Sequence, residues 1–118
     1  MTMRIGIIGY GNLGKGVESA LRDNADMELV AVFTRREPHT LSIRSEGVSV
    51  LSYADIGKMT EDIDVMILCG GSATDLPEMT PEVAAQFHVI DSFDTHANIP
   101  AHFAAVDAAA KAAGKVAV

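Results

Sequence analysis

The chain has 118 residues, close to half of them apolar, so one domain with a real core is expected and disorder is not. Its net charge of -7 is uneven: residues 1–60 hold seven basic and seven acidic side chains, residues 61–118 two and nine. That balance argues against a nucleic-acid partner, which needs a broad basic face, and no apolar run is long enough to span a membrane.

In chain order, Arg4–Ile8 (RIGII) reads as a buried strand ending at Gly9. The apolar start has no small-residue cleavage site after it, so it is read as a strand and not a signal peptide. Asn12–Asn24 has helical spacing, with Leu13, Val17, Ala20 and Leu21 on one face. Glu28–Phe33 is a second β-rich run, and Thr34–Glu46, with Pro38, a loop. Val48–Leu51 is a short strand and Tyr53–Met59 a short helix. Ile63–Cys69 is the most hydrophobic run and is expected to be a central parallel strand, buried on both faces. Pro81 is expected in the first turn of a helix over EVAAQF. Phe87–Ile90 is a strand, Ile99–Ala113 an Ala-rich helix capped by Gly114, and Lys115–Val118 the start of another strand.

This alternation predicts an α/β fold: a Rossmann-type doubly wound parallel sheet with helices on both faces. A lone cysteine, Cys69, excludes an internal disulfide framework and fits a reducing, cytoplasmic setting. The closing apolar KVAV suggests a fragment of a longer chain, against the alternative of a naturally short domain.

Gly9-Tyr10-Gly11-Asn12-Leu13-Gly14 matches G-x-G-x-x-G between a strand and a helix. The first glycine permits the tight turn, the second lets backbone approach a pyrophosphate, and the third lets helix and strand pack closely. The pyrophosphate would rest on the N–H groups near Gly11 to Leu13. About twenty residues on, such chains usually carry an acid for the adenosine ribose. Here Thr34, Arg35 and Arg36 stand at the end of the second strand instead. A carboxylate would repel a 2′-phosphate, whereas two guanidinium groups and a hydroxyl would hold it, so NADP(H) is the expected cofactor.

The ligand of a doubly wound sheet lies beyond the carboxyl ends of the strands. After IDVMILC come Cys69, Gly70, Gly71, Ser72 and Thr74: the glycines allow backbone close to the cofactor, and Ser72 and Thr74 can hydrogen-bond it. Cys69, with no histidine near it in sequence, reads as a buried, inert thiol in preference to a nucleophile. After FHVI comes Asp91-Ser92-Phe93-Asp94-Thr95-His96. Its D-x-x-D-x-H pattern holds three possible metal ligands, but they form one loop that no second cluster joins; Asp94 is expected to meet a cationic substrate group near the nicotinamide. His39, His88 and His102 read as structural or solvated.

With Gly9–Gly14, FTRR, LCGGSATDLPE and IDSFDTH together, the chain resembles the N-terminal portion of meso-diaminopimelate dehydrogenases over its whole length. The glycine loop is widely shared among dehydrogenases; the SATD-L-PE stretch and the D-x-(F/Y)-D-x-H loop are more specific. The resemblance implies an NADP-dependent enzyme of lysine biosynthesis that oxidatively deaminates meso-diaminopimelate to L-2-amino-6-oxopimelate and ammonia, and a homodimer at full length. It implies that Gly9 and Tyr10–Leu13 line the pyrophosphate and that Thr34, Arg35 and Arg36 hold the 2′-phosphate. Cys69–Ser72 and Ser92–Asp94 would pass along the dinucleotide, with Asp94 also meeting the substrate's amino group. Residues 1–118 would form the dinucleotide-binding domain, with the substrate and dimerisation domain outside this chain and the chain alone inactive. The alternatives are another NADP-dependent reductase of amino-acid pathways and a stand-alone nucleotide-binding or sensing module.

Overall fold

A computed structural model describes residues 2–71 and 74–118. Five parallel strands, β1 (Met3–Ile8), β2 (Met27–Thr34), β3 (Ser49–Ser52), β4 (Val65–Leu68) and β5 (His88–Ile90), form one sheet in the order β3-β2-β1-β4-β5. The chain steps outward from β1 through β2 to β3, then crosses back to place β4 on the other side of β1. That reversal opens a crevice at the carboxyl ends of β1 and β4, the usual ligand position in such sheets.

Side chains alternate between the two faces of the sheet, and both faces are buried. Ile8, Ala31, Phe33, Met66 and Leu68 point to the side covered by helices α2 (Leu76–Ala84) and α3 (Ile99–Ala113), and join Leu76, Val83 and Val106 in the larger core. Ile5, Ile7 and Val32 point the other way, towards Leu21 of helix α1 (Asn12–Arg22). Ile7, Phe33 and Met66 are fully buried, each stabilising the fold by about 1.5–3 kcal/mol over an exposed position. At the opposite end of the sheet, the Arg4 guanidinium and backbone N–H bind both oxygens of Asp64 at 2.8–3.2 Å, tying the start of β1 to the approach to β4.

Two expectations need correction. α1 does not bury Leu13, which is half exposed; it buries Gly14, Glu18 and Leu21, because Tyr10 and the loop around Ser45 pack on that side and engage Glu18. α2 begins at Leu76, with Pro77 in its first turn, so Pro81 lies inside the helix. The missing Pro81 N–H costs the carbonyl one turn back its partner, and the helix tolerates this because Leu76, Met79, Val83 and Ala84 are buried. The short helix expected over Tyr53–Met59 forms with those bounds, as a 3-10 helix capped by the Ser52 side chain accepting from the Ala54 N–H.

The end of the chain runs beside β5. Val89 donates to Val116 at 2.9 Å, Val118 to Val89 at 3.0 Å and Asp91 to Val118 at 2.7 Å, so residues 116–118 start a sixth line of pairing without a full strand. Gly114 closes α3 in the left-handed region at φ 69°, where glycine avoids the penalty other residues incur.

Candidate functional site

The glycine loop occupies the crevice. Gly9 sits at φ +94°, its N–H donating to the Phe33 carbonyl at 2.9 Å, while the Cys69 N–H donates to Ile8 at 2.7 Å. The tips of β2, β1 and β4 are thereby laced together. A Cβ on Gly14 would lie 2.3 Å from the Gly9 carbonyl oxygen, so only glycine allows α1 to start so close to β1. A Cβ on Gly11 would meet nothing within 4 Å: this glycine faces open space.

α1 begins with Gly11 at its N-cap, with no side-chain cap and no acid in its first turn. Its first N–H groups therefore remain available to an anion, and the helix dipole favours one there. Tyr10 has its ring packed into the protein. It is buried, and its hydroxyl donates to the Glu18 carboxylate, which also accepts the Ser45 N–H at 2.9 Å. Burial opposes ionisation of Glu18, but the bonds from Tyr10 and Ser45 outweigh it and hold the carboxyl below its ordinary range. Burial and the adjacent Glu18 raise the Tyr10 phenol, so it stays a donor.

A cleft of about 370 Å³ lies over the loop, lined by Gly9, Tyr10, Gly11, Thr34, Arg35, Arg36 and Gly70, together with Ile8, Phe33, Asp75 and Met79. Seven residues singled out from the sequence thus converge on one space. Thr34 is buried, and its hydroxyl oxygen accepts the Arg36 N–H at 3.0 Å, shaping the turn that carries both arginines. Arg35 pairs with Asp75 at 2.7 Å. Asp75 is absent from the sequence-based expectations; its position just before α2 was its signal, but its meeting with Arg35 needs the folded sheet.

The other expected residues lie around the cleft's border. Asn12 and Leu13 open α1 on the exposed surface. Cys69 is buried, and burial pushes its thiol up to about 11, so it is inert at neutral pH as the sequence suggests. Gly71 donates its N–H to Asp75 at 2.9 Å. Ser72 lies outside the described residues. The Ser92 hydroxyl donates to the Leu68 carbonyl at 2.9 Å, anchoring the loop after β5 to the tip of β4. The Phe93 ring turns away from the cleft and stacks on His102, with centroids 3.9 Å apart, beside a groove of about 560 Å³ under α3. His102 also contacts Asp91 at 2.5 Å, and both side chains are nearly buried, which fits its structural reading. His88 accepts the Val116 N–H at 3.0 Å, and His39 is exposed. Asp94 is exposed on the same loop as Ser92. Among the described residues, no group of acidic, cysteine or histidine side chains is arranged to hold a metal ion, and no helix is long and apolar enough to cross a membrane.

Residues 3–90 match the family described as "Oxidoreductase family, NAD-binding Rossmann fold". The chain belongs to this family. Its glycine loop and crevice are therefore those of a domain that binds a nicotinamide dinucleotide. Over 116 residues, 98% of the chain, it is 64% identical to the meso-diaminopimelate D-dehydrogenase of Lysinibacillus sphaericus. Two crystal structures superpose on 99% of the chain with TM-score 0.89: an engineered D-amino acid dehydrogenase bound to NADP+ (41% identical) and the C. glutamicum diaminopimelate dehydrogenase in complex with diaminopimelate (42% identical). The chain spans 35% of the length of each of these three relatives.

Proposed function

We propose that this chain is the NADP-binding domain of a meso-diaminopimelate dehydrogenase, with residues 1–118 holding the cofactor. The observation that carries the reading is the pairing of Arg35 and Arg36 on the rim of the glycine-loop cleft, in a chain 64% identical to such an enzyme. The pyrophosphate rests on the N–H groups from Gly11 to Leu13. Thr34, Arg35 and Arg36 face the 2′-phosphate, and the segments Cys69–Ser72 and Ser92–Asp94 run along the rest of the dinucleotide. The nicotinamide supplies hydride transfer when bound, and the residues of this chain orient it.

Asp94 receives the substrate's amino group by charge-assisted hydrogen bonding. The reaction is the reversible oxidative deamination of meso-diaminopimelate in the cytoplasm, by a homodimer at full length. Hydride transfer needs donor and acceptor carbons in near-attack geometry, which takes a cleft closed from both sides. The 118-residue chain alone accordingly binds NADP(H) and gives negligible turnover.

Calorimetric titration with NADP+ and NAD+ in parallel tests this. NADP+ should bind at least about tenfold tighter, roughly 1.4 kcal/mol, and Arg35→Ala/Arg36→Ala should erase the difference. A preference for NAD+ would overturn the cofactor assignment, and appreciable diaminopimelate oxidation by the purified chain would overturn the division of labour.

A further inference from the structure

Although β2 ends without the acid usual in dinucleotide sites, the fold delivers a carboxylate to the same cleft from another element. Asp75, immediately before α2, lines the space shared with Arg35 and Arg36. Its Oδ1 accepts from the Arg35 guanidinium at 2.7 Å and its Oδ2 from the Gly71 N–H at 2.9 Å. The Arg35 guanidinium is one of the cleft's own anion donors, on its rim, and the Gly71 N–H follows the lining residue Gly70 just beyond β4. The carboxylate thus takes, from inside the protein, the place of a bound anion. Space has been cleared for it: a Cβ on Gly70 would lie 3.1 Å from the Asp75 Cβ, and one on Gly71 3.3 Å from its Oδ2.

We infer that Asp75 is a cofactor-discriminating residue, an internal counter-anion that tempers the phosphate affinity of the arginine rim and leaves the cleft able to take a dinucleotide with an unmodified ribose. The inference rests on the reading that this rim meets a 2′-phosphate. Such a phosphate brings up to two negative charges beside the Asp75 carboxylate and must share Arg35 with it; like charges at this range oppose binding. A ribose hydroxyl meets no such repulsion, since the carboxylate accepts its hydrogen bond as the acid of NAD sites does. Asp75→Asn keeps the shape and an acceptor for the Gly71 N–H, removes the charge and turns an NH2 group, which accepts nothing, towards Arg35.

The 118-residue chain and its D75N variant are titrated with NADP+, NAD+ and adenosine 2′-monophosphate at low and high salt. D75N should tighten NADP+ and adenosine 2′-monophosphate about three- to tenfold without tightening NAD+, and salt should shrink the gain. Asp75→Ser, which places a small hydroxyl suited to capping at the start of α2, should move the same way and guards against a folding defect in D75N. Unchanged or weaker phosphate binding in both variants would overturn the inference and make Asp75 a mere buttress for Arg35. A wild-type chain without NADP+ preference would strike the cofactor assignment instead, and the adenosine 2′-monophosphate titration would still decide the role of Asp75. If no nucleotide binds to any of the three chains, both fall.

Discussion

Tyr10, inside the glycine loop, donates its hydroxyl to the buried carboxylate of Glu18, in the second turn of α1. Because Glu18 also accepts the Ser45 N–H, one side chain fixes the glycine loop, α1 and the loop preceding β3 to one another. Glu18→Ala should leave both donors without their partner and cost about 2–4 kcal/mol in urea denaturation. The pH dependence has a definite sign. The Glu18 carboxyl lies below its ordinary range in the folded state, so its contribution is present above the unfolded value of about 4.3 and is lost as pH falls through the folded value. The stability difference between wild type and Glu18→Gln should therefore shrink on acidification.

Gly14 and Gly16 lie two residues apart on α1 and should respond oppositely to alanine. At Gly14 the new methyl group would sit 2.3 Å from the Gly9 carbonyl oxygen, pushing helix from strand. A loss of about 2 kcal/mol or more is expected, with nucleotide binding weakened at least tenfold by calorimetry. At Gly16 the methyl group meets nothing within 4 Å, and alanine should stabilise the helix by about 0.5–1 kcal/mol. Thermal unfolding of the two variants separates these outcomes, and equal effects would refute the packing argument.

Much of this was legible in the sequence, and the misses share a physical origin. Local pattern was enough for the five strands, the third helix with its Gly114 cap, and the glycine loop, since strand runs and turn glycines signal over a few residues. The face of α1 was misread because Leu13 fits the apolar spacing while the buried position belongs to Glu18, whose partners are 8 and 27 residues away. Asp75 was missed for the same reason: Arg35 is 40 residues from it in sequence and meets it only across the sheet. Polar contacts between loops leave no periodic trace, so the arginine rim could be seen and its counter-charge could not.

The thiol of Cys69 offers a simple probe of integrity. With burial raising it to about 11, it should resist alkylation at pH 8 in the folded chain and react readily in denaturant. A folded-state value above the unfolded one means stability is full below the unfolded value, about 8.5, and is lost as pH rises through about 11. Rapid labelling of the native chain by a thiol reagent would contradict the buried placement.

His102 should behave as a support for the loop that carries Asp94. Alanine there removes the stack on Phe93 and leaves the nearly buried Asp91 carboxylate without its 2.5 Å partner. A loss of about 2–3 kcal/mol is expected. Hydrogen exchange should locate it: the Phe93 N–H, bonded to Asp91 at 2.6 Å, should lose protection before the amides of β1 do.

The strand order also bears on how the chain assembles as it is made. β1 pairs on one edge with β2 and on the other with β4, which emerges from the ribosome after β2 and β3. Until Val65–Leu68 has been synthesised, one edge of β1 stays open, with Ile5, Ile7 and Ile8 lacking their neighbours on that side. The glycine loop shares that delay, because the backbone of Cys69 and Gly70 packs against Gly9 only after β4 arrives. Nucleotide therefore cannot template the early steps of folding; it can only trap the sheet once both halves have met.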